Sequence, residues 1–205
     1  MTSGCTWRRP RYDASIVQAL FAAAASEPQA LDGQVGSMSL ATHVRGMQDE
    51  DLLAVARLSE DAFRDTYRFD WQANAQALLD ASRAGRVDVC VAERDDAVVG
   101  YCNLRAWPIG GWIDQIVVAR DQRQKGIGRA LLEATVVAAR RRGYWKLSLV
   151  VSSVDAGALT FFRACGWDLV GTMTDEIARG IDGLLLSRIV DHALHPNPSG
   201  RPTSG

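Results

Sequence analysis

Three basic residues and two glycines fall within the seven positions 123–129: Arg123, Lys125, Gly126, Gly128 and Arg129. They sit in Arg123-Gln124-Lys125-Gly126-Ile127-Gly128-Arg129-Ala130, and no acid lies between Gln122 and Ala130. An apolar run, Ile116-Val117-Val118, precedes them, and an amphipathic run, Ala130 to Arg142, follows. A strand, a glycine turn and a helix start bring several main-chain N–H groups to one point, where the helix dipole also favours negative charge. The stretch is therefore read as an anion cradle acting mostly through its N–H groups, with glycines that let a ligand approach the backbone. A plain strand-to-helix connector is the competing reading. A lone Gly-x-Gly would not displace it, but the bases and the missing acids do. The dinucleotide fingerprint is excluded because its third glycine would fall on Leu131. A P-loop is excluded because Gly126 is not followed at the right spacing by Gly-Lys-Ser/Thr.

The turn resembles motif A of the GNAT superfamily of acyl-CoA N-acyltransferases, Arg/Gln-x-x-Gly-x-Gly/Ala, with Arg123, Gly126 and Gly128 in its places. A second block, Asp155-Ala-Gly-Ala158-Leu-Thr-Phe161-Phe162-Arg-Ala-Cys-Gly166-Trp167, is similar to the family's Asn-x-x-Ala-x-x-Phe-Tyr-x-x-x-Gly-Phe. With the element order, the resemblance covers residues 38–190. It implies acetyl-CoA as cofactor, with its pyrophosphate on residues 123–130. It also implies that the backbone of Ile116, Val117 and Val118 bonds the pantetheine amides where neighbouring strands splay, while their side chains read as strand core. Asp155 stands where the family commonly has Asn beside the cofactor, and reads equally well as a helix N-cap. Phe162 stands where a Tyr often serves as general acid to the departing thiolate. Phenylalanine has no proton to give, so Phe162 is left to pack on the pantetheine or the acyl group, and a water, Ser152 or Ser153 could assist instead.

The implied reaction is direct attack of an amine on a thioester. The amine must be deprotonated, so a base or water relay is wanted. The carbonyl oxygen needs a donor, and a strand N–H near Val117 would serve. Asp114 is the candidate base, against the reading of a solvated strand-edge carboxylate. Strand alternation says that Asp114 and Gln115 do not both face the site. Tyr67, Phe69 and Trp71 from one segment, and Asp175, Glu176 and Asp182 from another, are candidates for the acceptor pocket. Packing and a wet loop are the plain readings of these two groups. The leading expectation is an N-acetyltransferase moving an acetyl group from acetyl-CoA to a primary amine, on a small molecule or a protein. The alternative, motivated by Phe162, is a non-catalytic acyl-CoA-binding or sensor module. A phosphate- or nucleotide-binding domain of another class comes third.

These residues need a scaffold. Pattern alone orders it β-α-α-β-β-β-α-β-α-β-β, an α/β chain around a mixed sheet, and the resemblance implies a GNAT-like, mostly antiparallel central sheet flanked by helices. The strands are read at Ala41–Val44, Val87–Glu93, Ala97–Arg105, Trp112–Val118, Tyr144–Val151, Trp167–Met173 and Leu184–Val190. A helix is expected after the acids of residues 47–51, a second at Gln72–Arg83, a third after the cradle, and a short one at Asp155–Ala164. Residues 1–37 read as an extension with a short Ala-rich helix, although its basic start and apolar stretch mimic a secretory signal. Residues 191–205, rich in Pro, Ser and Gly, read as a mobile tail.

The 205 residues include 47% hydrophobic ones, enough to bury one core. A net charge of −1 gives no bulk-charge argument for nucleic acid or membrane. Cys5, Cys90, Cys102 and Cys165 have no metal-ligand spacing, and a reducing cytoplasm suits them. No metal and no membrane span is expected, and a homodimer is left open.

Overall fold

The structure is a computed structural model and describes residues 42–65 and 70–194. The extension over 1–37, Tyr67, Phe69 and most of the expected tail lie outside the described residues. Seven strands form one sheet: β1 (His43–Gly46), β2 (Val87–Arg94), β3 (Ala97–Trp107), β4 (Gly110–Val118), β5 (Lys146–Ser152), β6 (Asp168–Ala178) and β7 (Ile181–Ile189). Helices α1 (Leu52–Phe63) and α2 (Trp71–Arg83) precede β2, α3 (Ile127–Arg141) joins β4 to β5, and α4 (Ala156–Ala164) joins β5 to β6. The element order is the one expected. Across the sheet the strands run β1-β2-β3-β4-β5-β7-β6. Every neighbouring pair is antiparallel except β4 with β5. A parallel pair needs a crossover, which α3 supplies.

Local chemistry explains the boundaries. Asp95 and Asp96 both adopt left-handed φ, 51° and 59°, the backbone of a two-residue turn that follows strand twist, and so β2 and β3 close as a tight hairpin. Asp70 caps α2 by accepting the Ala73 N–H at 3.0 Å. The first strand runs to Gly46, two residues beyond its expected end, and Ala41 lies outside the described residues. The acids of residues 49–51 form a 3-10 turn before α1. Asp51 is 2% exposed; it accepts the Gln48 N–H at 2.7 Å and pairs with Arg45. Thr174–Gly183, expected as a loop, is instead mostly strand, with β6 and β7 continuing to a tight turn at Arg179-Gly180 through an irregularity between Met173 and Ala178.

Both sheet faces are covered. Tyr101 bonds Ser59 of α1, whereas its neighbour Cys102 is bonded by Thr135 of α3. Successive strand residues point to opposite faces, so α1 and α3 lie on opposite sides. Leu131, Leu132, Thr135, Val136 and Ala139 form the buried stripe of α3, as the 3.6-residue spacing predicts. They pack on Leu104, Ile113, Leu147, Leu149 and Leu186. Cys90, Cys102 and Cys165 are free thiols, and Cys102 and Cys165 are buried.

Candidate functional site

Gly126 has φ +83°, and Gln124 has φ +61°. These left-handed residues fold the chain after β4 into a tight turn that enters α3. The first helical bond there is donated by the Ala130 N–H to the Gly126 carbonyl, 3.0 Å. The N–H groups of Gly126, Ile127, Gly128 and Arg129 therefore precede the ladder, and no side chain caps them. A Cβ built on Gly126 would meet nothing within 4 Å, so the space above the turn is open. The basic side chains fold around the turn rather than across it. Arg123 Nε donates to the Val118 carbonyl at 3.1 Å, Lys125 Nζ to Gln122 at 3.1 Å, and an Arg129 guanidinium nitrogen to the Ala164 carbonyl at 3.2 Å. An uncapped helix start, an open approach and flanking cations fit a diphosphate group.

Gly128 has a different duty. A Cβ there would lie 3.1 Å from the Phe161 ring, so this glycine lets α4 pack on the start of α3. Phe162, assigned to the cofactor by its resemblance, is a core residue here. It is 4% exposed and sits edge-on to Phe161 and Trp167, with centroids 5.2 and 5.6 Å away. The half-buried ring nearest the cradle is Phe161. Asp155 is the N-cap of α4, accepting the Ala158 N–H at 2.8 Å.

The strand before the cradle parts from its neighbour. β4 and β5 pair only at Gly111–Leu147 and Trp112–Ser148. Beyond that point β4 runs on to Val118 and β5 to Ser152 without pairing with each other. The β5-facing edge of β4 over Ile113–Val118 is thereby left out of the ladder. Val117 is buried, and Ile116 and Val118 are partly buried against the core, so their side chains belong to packing. At the end of β4 a cleft of about 510 Å³ opens towards α1. Val117, Val118 and Ala119 line one side, and Leu58 and Ala62 the other. Arg64, Arg120 and Arg123 with Asp61, Asp65 and Asp121 complete its lining.

Asp114 lies on the same strand, farther from the cradle. Its two carboxylate oxygens accept from Arg105 Nε at 3.0 and 2.8 Å. The Arg105 guanidinium stands 5.0 Å from the Trp107 ring and 5.7 Å from the Trp112 ring. Those two rings pair at 5.0 Å across the β3–β4 hairpin. Partial desolvation raises the Asp114 carboxyl above its ordinary value, against the pull of Arg105, although the side chain is still 36% exposed.

One expectation fails here for a local reason. Asn103 pairs with Gln115 and Leu104 with Ile113, which makes Asp114 the extra residue of a β-bulge. Gln115 accepts the Tyr101 hydroxyl at 2.9 Å, while Asp114 takes Arg105. Residues 101 and 105 share a face of β3. Asp114 and Gln115 thus both face the α1 side, because a bulge suspends alternation for one residue.

The acceptor candidates are scattered. Trp71 is the first residue of α2. Asp175, at φ 55°, accepts the Gly180 N–H at 2.6 Å and donates its own N–H to Asp182, so both carboxylates pin the β6–β7 hairpin. Glu176 packs its stem over Gly183, where an added Cβ would fall 3.0 Å from Glu176 and 2.7 Å from Val150 of β5. Sequence reading missed Arg105 and the buried polar side chains Ser59, Tyr101 and Asn103. The signal for the last two was present, as polar residues two apart in an otherwise apolar strand. Among the described residues no group of three or more His, Cys, Asp or Glu could hold a metal, and no helix is long and apolar enough to cross a membrane.

Comparison with known proteins agrees with this geometry. The profile of the Acetyltransferase (GNAT) family matches residues 52–167. An L-methionine sulfoximine/L-methionine sulfone acetyltransferase of Pseudomonas paraeruginosa is 28% identical over 146 residues, 65% of this chain and 84% of that protein. The ribosomal-protein-alanine N-acetyltransferase of Brucella melitensis superposes with a TM-score of 0.64 at 26% identity, over 72% of this chain and 99% of that one. A Salmonella typhimurium protein solved with its cofactor acetyl-CoA has the same fold, with a TM-score of 0.64 at 19% identity over 78% and 99% of the two chains.

Proposed function

The chain belongs to the GNAT acetyltransferase family and is an acyl-CoA-dependent acetyltransferase; from that premise we propose that it moves an acetyl group from acetyl-CoA to a primary amine by direct attack. The observation that carries this reading is the parting of β4 from β5 in a strand that ends at an uncapped, open helix start. Bound acetyl-CoA would supply an acetyl group activated as a thioester. The N–H groups of residues 126–129 bind its pyrophosphate, with Arg123, Lys125 and Arg129 adding charge. The unpaired edge of β4 from Ile116 to Val118 offers main-chain partners to an amide-bearing arm, and one of its N–H groups serves as donor to the developing oxyanion. Leu58, Ala62 and Val117 give that edge an apolar flank. Asp114 takes the amine proton, directly or through a water, and as the thioester C–S bond breaks coenzyme A would leave as its thiolate, protonated from water. The Pseudomonas relative is named for amino-acid analogues and the Brucella one for a ribosomal-protein alanine. Small amines are therefore the first acceptors to test, with protein amines next. A coenzyme A-dependent reaction of this kind belongs to the cytoplasm.

The test is a thermal-shift series with acetyl-CoA, coenzyme A, ATP and NADH, followed by thiol release with a panel of amines. A ligand at 100 times its Kd that binds only the folded state adds about 2.7 kcal/mol. Selective stabilisation by the two coenzyme A species, with thiol release that requires an amine, is expected. Stabilisation without release from any amine would favour the sensor reading, which the proton-free Phe162 side chain motivates. No shift with either coenzyme A species would remove the basis of both.

A pH dependence follows from Asp114. A base works when ionised, so kcat rises with pH as Asp114 loses its proton, and the raised carboxyl puts that limb above the ordinary carboxylate range. Arg105 favours the ionised form. Arg105→Gln is expected to move the limb to higher pH and lower the rate on its acid side. An unmoved limb in a pH–kcat profile would exclude Asp114 as the titrating base.

A further inference from the structure

We infer that Asn103 and Tyr101 are positioning residues that hold the β4 bulge and so aim both Asp114 and Gln115 at the α1 face; this rests on the acetyl-transfer reading above. At the bulge the ladder between β3 and β4 changes register, so main-chain groups there lose their regular partners. The Asn103 side chain takes over one of them. Its Oδ1 accepts the Gln115 N–H at 2.7 Å, in place of a main-chain carbonyl. Asn103 is 2% exposed and Gln115 is partly buried, so without that oxygen the Gln115 N–H would lose its partner within the sheet.

The Gln115 side chain is fixed by a second contact. Tyr101 donates its hydroxyl to Gln115 Oε1 at 2.9 Å. The same hydroxyl, its own proton given to Gln115, accepts the single proton of Ser59 Oγ at 2.7 Å, for which the Val55 carbonyl of the same helix, at 2.8 Å, competes. Tyr101 and Ser59 are both fully buried. A continuous chain of hydrogen bonds therefore runs from α1, through β3, to the residue after Asp114. Buried networks of this kind specify one arrangement when every member is satisfied. Here the arrangement is a register shift, and its result is that the carboxylate and the amide share one face. Neither Asn103 nor Tyr101 reaches the cradle. Their effect on the reaction passes through Asp114 and Gln115.

The test compares Asn103→Leu, which keeps the shape and removes the acceptor, with Asn103→Asp, which keeps an acceptor oxygen. Coenzyme A should stabilise both as it does the parent, because the cradle is built separately. With the best amine from the panel, Asn103→Leu is expected to lose at least tenfold in kcat with the KM for acetyl-CoA little changed, and to shift the pH–kcat limb. Asn103→Asp should retain most of the rate. The carboxyl titration of Asp114, followed by NMR without any ligand, should change in Asn103→Leu. Parent-like kcat and titration in Asn103→Leu would overturn the proposal, as would an equal loss in Asn103→Asp. If Asn103→Leu does not fold, Tyr101→Phe takes its place, with a lowered kcat and shifted limb expected and an unchanged profile overturning the idea. If the parent releases no thiol with any amine, acetyl transfer fails as a function, and the NMR titration alone then decides whether Asn103 sets the bulge.

Discussion

Gly126→Glu is expected to abolish coenzyme A binding while the domain stays folded. Gly126 holds φ +83° at the entrance to α3, and an L-residue there costs roughly 1–2 kcal/mol. A domain of ordinary stability, roughly 5–15 kcal/mol, survives that cost. No atom lies within 4 Å of the added Cβ, so the strain is not compounded by a clash. The ligand meets the larger penalty. A carboxylate would stand beside the free N–H groups of Ile127, Gly128 and Arg129, repelling a pyrophosphate and competing for its donors. The expected loss is at least 100-fold in Kd, or about 2.7 kcal/mol. Titration calorimetry with coenzyme A measures it, beside a thermal melt that reports folding. Gly126→Asn is the matched control, since Asn tolerates the left-handed region and carries no charge. It should bind nearly as the parent does. Parent-like affinity in Gly126→Glu would place the pyrophosphate elsewhere.

The largest expected loss of stability belongs to Gly110→Ala. Gly110 has φ +140°, and a Cβ there would fall 2.2 Å from the Lys146 carbonyl oxygen. That oxygen is main chain at the start of β5, so no side-chain rotation relieves the contact. The position lies one residue before the pairing of Gly111 with Leu147, from which β4 and β5 diverge. Backbone strain and overpacking each cost roughly 1–3 kcal/mol, and here they add at one atom. A loss of roughly 3–5 kcal/mol in urea unfolding is expected, with a fall of about 10 °C in Tm. Gly171→Ala on β6 serves as contrast, because nothing lies within 4 Å of its added Cβ and its φ is ordinary. It should change stability by less than about 1 kcal/mol. Equal stability of Gly110→Ala and the parent would show that β4 and β5 do not meet as closely as described. Pro108 and Ile109 form the turn between β3 and β4, and the neighbouring strand gives Gly110 and Gly111 a further reason to be glycine. Such a reason is invisible locally, because Lys146 is distant along the chain.

The elements themselves were legible because their signals are short-range. The period of α3, the positive-φ pair at Asp95-Asp96, the Asp155 cap and the glycine turn at 126 each depend on a few consecutive residues. The proposed cradle was legible for the same reason, since a helix start and its glycines are contiguous. Boundaries slipped where tertiary contacts extended a strand, as in β6 and β7, which run on past the break after Met173 to pair again at Ala178 with Ile181.

The sequence by itself determined the order of strands and helices, the glycine turn that enters α3 and the family that its two motifs resemble. Only the tertiary structure decided where the side chains of that framework point. It set Phe162 in the core and Phe161 over Gly128, because the rotation of a short helix depends on what packs against it. It turned Asp114 and Gln115 to one face, because a bulge depends on the partner strand and on Asn103 as an outside acceptor. It also opened β4 from β5, since pairing is a property of two strands and neither sequence alone states where it stops.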